Sequence, residues 1–225
     1  MNKARVFRTI WRINGVLVLL TFVLIAGAAL VGTVLSLFDH RGRASDTVPA
    51  AGAPAGEERL DFAATTEIDG TPFVLLPLVE RREGSYSSDG SEGTRNLLFY
   101  DGATGRTHWL RPDHRGLVVG HQLLHEREED AAGRRGPVRW IRYELALADT
   151  NGDGDVSGAD RLELALSGPG GDAETVLRDV DEVLGYGSPR PGTLLVFFRR
   201  GEKRLVADLD LEARKVRRTT ELPRP

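Results

Sequence analysis

Leu194 to Leu211 reads LLVFFRRGEKRLVADLDL. Two apolar runs flank Gly201-Glu202, and along the second run Leu205, Ala207, Leu209 and Leu211 alternate with Val206, Asp208 and Asp210. A repeat of two puts alternate side chains on opposite faces of an extended chain, so the stretch predicts a β-hairpin. The same grammar runs outward from it. Leu60 to Ile68 and Phe73 to Val79 flank Asp69-Gly70, a strong two-residue turn signal. Asn96 to Tyr100 and Arg106 to Leu110 flank DGATG, Leu162 to Ser167 and Glu174 to Leu177 flank GPGG, and Arg139 to Ala148 leads into an Asp-rich loop. A last pair turns at EAR and ends near Leu222, and the only helical turn expected beyond residue 60 is a short one at Asp179 to Leu184. Polar tips are expected at Glu80 to Gly93 and Glu126 to Gly136.

LLFYDGATGRTHWL, LELALSGPGGDAETVL and LVADLDLEARKVRRTTEL each read as strand, polar turn, strand, and each follows two other strands, which makes a weak internal repeat. FYDGATGRTHW resembles the closing hairpin of β-propeller repeats of the PQQ or WD-like type, in which an Asp, a Thr-Gly turn and a Trp recur. The resemblance covers about three blades, fewer than the four to eight that close a ring. It implies a mainly β fold, an antiparallel, incomplete-propeller-like domain over residues 60–225, whose open edge is covered by loops or by another protein.

Val16 to Phe38, VLVLLTFVLIAGAALVGTVLSLF, carries no charge. At about 1.5 Å per residue a helix of this length crosses a hydrocarbon core of about 30 Å. Lys3, Arg5, Arg8 and Arg12 precede it without an acid, and Trp11 stands at its edge. The positive-inside rule places residues 1–15 in the cytoplasm, with 16–38 a single-pass transmembrane helix in contact with the lipid bilayer. A cleaved signal peptide is the alternative, since Ala26, Gly27 and Ala28 are small, but its apolar region is typically shorter, about 7–15 residues. Asp39 to Arg59, rich in Ala, Gly and Pro, reads as a flexible linker with an end-to-end distance of about 25 Å.

Composition narrows the function classes. Of the 225 residues, four of the 30 basic ones and none of the 33 acidic ones precede residue 39, so the exported part is net acidic. That excludes a phosphate-reading, nucleic-acid-binding face. There is no cysteine, so no disulfide can staple the domain. Arginine far outnumbers the three lysines, Lys3, Lys203 and Lys215, and alanine and glycine abound, which resembles a high-GC bacterial proteome. The expected location is therefore the bacterial inner membrane, with the C-terminal domain in the periplasm.

The strongest chemical signal is Asp149 to Asp160, DTNGDGDVSGAD. Oxygen side chains fall at loop positions one, three, five, nine and twelve, with Gly at six and an aliphatic residue at eight, a spacing that gathers the six to eight oxygens calcium requires. The segment resembles the EF-hand loop and, more closely, the dockerin-type repeat. By position, the resemblance implies a metal site of Asp149, Asn151, Asp153, the Asp155 carbonyl, Ser157 through water, and Asp160. The sequence departs from the EF-hand pattern in two places. Asp160 replaces the longer bidentate Glu, and Arg161 stands where a hydrophobic residue is usual, while strands rather than helices flank the loop. A metal-free polar connection is the alternative, because turns favour Asp, Asn and Gly in any case.

Other chemistry is sparse. His108, His114, His121 and His125 fall in one stretch, but HQLLH lacks the Glu that follows the first His of zinc-protease helices. On a strand, His121 and His125 would lie too far apart to chelate readily. Ser85, Ser87, Ser88 and Ser91 lack a nucleophile elbow, and GPGG lacks the Lys-Ser/Thr tail of a phosphate loop. Trp109 and Trp140 are expected on strand faces or in the core. No catalytic constellation emerges. The expectation is a non-catalytic, calcium-binding interaction module with a membrane or periplasmic protein partner, such as an accessory subunit of a membrane complex. A small-molecule or glycan-binding propeller-like protein and a zinc-dependent hydrolase are the alternatives.

Overall fold

A computed structural model describes residues 47–49, 59–81, 93–127 and 135–223. The chain divides into two units, Met1–Arg43 and Ala44–Pro225, and the described residues belong to the second. The helix read at 16–38 lies outside them. Among the described residues there is no helix, so none is long and apolar enough to cross a membrane.

The fold is mainly β and antiparallel. In chain order the strands are β1 (Thr47–Pro49), β2 (Arg59–Phe62), β3 (Thr66–Glu67), β4 (Phe73–Arg81), β5 (Thr94–Asp101), β6 (Thr107–Trp109), β7 (Leu117–His125) and β8 (Val138–Ala146), followed by β9 (Asp155–Ser157), β10 (Leu162–Ser167), β11 (Glu174–Val180), β12 (Glu182–Gly187), β13 (Thr193–Arg200), β14 (Lys203–Asp210) and β15 (Lys215–Glu221). Thirteen of them build three sheets in sequence, β2-β4-β5-β6 with β3 also on β4, then β7-β8-β10-β11, then β12-β13-β14-β15, and β1 with β9 makes a separate two-stranded sheet. The three segments of the internal repeat are the hairpins β5–β6, β10–β11 and β14–β15, each the last of its sheet.

Period two along β8 explains how the sheets stack. Ile141, Tyr143 and Leu145 enter one core with Leu75, Leu97 and Phe99 of the first sheet. On the opposite face Ala146 and the partly buried Trp140 join a second core with Val196, Phe198 and Leu209 of the third sheet. The middle sheet is thus covered on both faces, and LELALS of β10 is correspondingly buried at every position but Glu163. Two cores of this kind can hold the domain together without disulfides.

Charge also lies between the second and third sheets. Glu144 is buried, takes a hydrogen bond of 2.9 Å from Arg142 and another of 2.7 Å from the Tyr186 hydroxyl, and the Arg142 guanidinium sits 3.5 Å over the Tyr186 ring. Each charge is therefore compensated where it is withdrawn from water.

The turns follow their sequence signals, with corrections. Gly70, Gly105 and Gly201 adopt positive φ in the expected turns. In DGATG, Asp101 accepts from the Ala103 and Thr104 N–H groups and from the Thr104 hydroxyl, and these bonds hold its carboxyl below the usual range. Leu60 to Ile68, expected as one strand, is broken into β2 and β3, both paired to β4. The turn expected at Asp179 to Leu184 is instead the junction of β11 with β12, where Asp179 takes a φ of 55° to redirect the chain between sheets. Thr47–Pro49, within the stretch read as a linker, forms β1 against β9.

Candidate metal loop

Residues 147–161 connect β8 to β10 at the centre of the middle sheet. Gly152 and Gly154 have φ of 80° and 92°, which lets the chain curl around its own side chains. Asp149 accepts the Gly152 N–H through Oδ1 at 2.6 Å and the Gly154 N–H through Oδ2 at 2.9 Å. Asn151 Oδ1 accepts from the Asp153 N–H at 2.9 Å, Asp153 Oδ1 from the Asp155 N–H at 2.9 Å, and Ser157 Oγ from the Ala159 N–H at 3.1 Å. Side chains at positions one, three, five and nine are thereby folded back over the loop's own backbone.

Asp160 fastens the two ends. It is 1% exposed; its Oδ1 accepts from the Thr150 N–H at 2.6 Å, the Thr150 hydroxyl at 3.0 Å and the Asn151 N–H at 3.2 Å, and its Oδ2 from the Ser157 N–H at 2.8 Å. Val156, at position eight, is buried in the core between the second and third sheets. Asp155 lies opposite Pro49. Proline has no N–H, so β1 places no hydrogen bond on the Asp155 carbonyl.

The donor set consists of oxygens, the chemistry of a hard cation. Asp149, Asp153 and Asp160 Oδ2 retain lone pairs beyond those used by the loop's N–H groups. No Arg or Lys forms an ion pair with Asp149, Asp153, Asp155 or Asp160 among the described residues; Arg161, the adjoining cation, lies 3.8 Å from Asp181 instead. No three His, Asp or Glu side chains converge at metal-binding distance among those residues, so the carboxylates rest on the backbone rather than on a common point.

The histidines are dispersed. His108 is exposed on β6, and His121 stands on β7 opposite Tyr143. His114 Nδ1 lies 3.0 Å from Asn96 Nδ2 and its ring packs edge-on to Trp109, while His125 Nδ1 lies 2.8 Å from the Gly136 carbonyl. A carbonyl can only accept, so Nδ1 of His125 carries the proton. Trp109 also stacks on Phe62, and Trp140 packs on the second core, both on strand faces as expected.

No protein-family model and no curated protein matches the chain. Among solved structures it is similar to the β-propeller domain of the Trilobed protease from Pyrococcus furiosus, described as an open velcro topology, with a TM-score of 0.38 and 12% identity. The match covers 73% of this chain and 43% of that one, so the chain spans less than half the length of the structure it matches.

Proposed function

We propose that the chain is a non-catalytic, calcium-stabilised interaction module, an incomplete-propeller-like stack held to the bacterial inner membrane by residues 16–38 and exposed to the periplasm. The observation that supports it is the loop of Asp149, Asn151, Asp153, Asp155, Ser157 and Asp160, whose carboxylates Asp149, Asp153 and Asp160 accept from the loop's own N–H groups and whose four carboxylates meet no side-chain cation among the described residues. Calcium would be held by Asp149, Asn151, Asp153, the Asp155 carbonyl and Asp160, with Ser157 through water, and would supply the missing positive charge. Its role is structural, because the loop joins β8 to β10 and plants Val156 in the core. A partner protein in the membrane or periplasm would meet the outer faces of the first and third sheets, where Phe62, Tyr100 and Leu184 are exposed.

Calorimetric titration of the full-length protein in detergent with calcium tests the site. The expected result is one site with a Kd of about 10⁻⁴ to 10⁻³ M, lost in Asp149→Ala and Asp153→Ala; no heat in the parent refutes it. For topology, a reporter fused after Pro225 should be active only outside the cytoplasm, and cytoplasmic activity would reverse the orientation.

A further inference from the structure

At the end of the middle sheet opposite the loop, a cleft of about 600 Å³ opens between the second and third sheets. That volume lies in the range of small-molecule sites, about 300–1,000 Å³. Its floor is apolar, from Trp140 and from Leu194 and Leu211 of the second core. Among the described residues its rim carries His125, Arg127, Arg135 and Arg190 with Glu126, and Asp208 lies behind Arg190. Such a concentration of cations runs against the acidic balance of residues 39–225 and focuses a positive potential into a low-dielectric recess.

The rim is also organised. Arg190 stands between Pro189 and Pro191, which restrict the backbone, and its Nε donates to Thr193 Oγ1 at 3.1 Å while its Nη2 lies 3.6 Å from Asp208. The Ser188 hydroxyl donates to the Thr193 carbonyl at 3.1 Å, and the Leu211 N–H donates to the Gly192 carbonyl at 3.0 Å, so the loop is pinned to β13 and β14. Across the cleft, Arg127 and Gly136 continue the β7–β8 hairpin through the bond from the Gly136 N–H to the Arg127 carbonyl. Among the described residues the Arg127 side chain forms no ion pair. Guanidinium groups present donors in a planar fork suited to carboxylate and phosphate.

From the basic rim over an apolar floor we infer that this cleft binds a small organic anion, an apolar body carrying a carboxylate or phosphate head. Arg127 and Arg190 take the head group, and Trp140 with Leu194 takes the body. The inference does not depend on calcium. Trp140 and Ala146 are six residues apart on β8, about 20 Å at the strand rise, so the cleft and the loop can fail separately.

Full-length protein in detergent is titrated calorimetrically with 3-phenylpropionate, phenyl phosphate and the neutral 3-phenylpropan-1-ol. The expected result is saturable binding of at least one anion, about tenfold or more tighter than the alcohol, with a further loss of about tenfold in Arg127→Gln and in Arg190→Gln. Whichever anion binds more tightly names the head group. Arg127 is exposed, so its variant should melt as the parent does; should Arg190→Gln fail to fold, the Arg127 variant and the weakening of binding by added salt still decide the matter. Equal affinity for the alcohol, or no binding of either anion, overturns the proposal.

Discussion

Asp160 accepts four hydrogen bonds, three of them from backbone N–H groups, in a position only 1% exposed. Asp160→Ala leaves those N–H groups without their acceptor and should cost about 2–4 kcal/mol in urea unfolding with chelator present. An unchanged midpoint would show that the loop ends are held by something else. Glycines make a second, contrasting test. Gly171 has a φ of 85° and faces Phe99 so closely that a Cβ would overlap the ring, whereas Gly152 at φ 80° has open space around it. Gly171→Ala should therefore destabilise by more than about 2 kcal/mol, from strain and displaced core together, and Gly152→Ala by only about 1 kcal/mol of backbone strain. Equal losses would contradict the contact. The turn-forming Asp, Asn and Gly residues of the loop were legible because their signal is local to the chain. The engagement of Asp160 with the loop backbone and the contact between Gly171 and Phe99 were not, since each depends on how distant or curled segments meet.

At the scale of elements, Tyr143 ties β8 to β10 through a 2.7 Å hydrogen bond between its hydroxyl and Ser167 Oγ, with no exposure to solvent. Burial pushes the phenol well above its ordinary value, the Ser167 bond opposing this in part. An unfolded phenol loses its proton near pH 10, whereas the folded one keeps it to higher pH. Stability should thus be unaffected by this group below about pH 10 and fall above it, by up to roughly 1.4 kcal/mol per pH unit. Urea midpoints at pH 9, 10 and 11 should fall more steeply in the parent than in Tyr143→Phe, which itself loses about 1 kcal/mol with the hydrogen bond; parallel curves would contradict the account. Hairpins such as β13–β14 were legible because the turn and both apolar runs are local. Short β1 and β9, three residues each, have too little sequence to show a period, and β1 is specified by its partner rather than by itself.

Across the described residues, three sheets in sequence and a doubly covered middle sheet account for why the apolar side chains divide into two cores. The repeat of closing hairpins foreshadowed that order, but the cleft did not show in the sequence, because its rim comes from the β7–β8 hairpin and the loop before β13, about 60 residues apart along the chain. The loop at 149–160 bears on the stability of this stack because β8 and β10 are neighbours at its centre. Calcium bound only by the folded state stabilises by RT ln(1 + [Ca]/Kd), roughly 1 kcal/mol at millimolar calcium for a millimolar to submillimolar site. Thermal melting of the full-length protein in detergent, with calcium, magnesium or chelator, tests this most directly. The midpoint should rise by about 2–4 °C with calcium over chelator, and the rise should vanish in Asp149→Ala and Asp153→Ala. Equal midpoints with calcium and chelator in the parent would contradict a structural metal, and a calcium response that survives in both variants would place the site elsewhere.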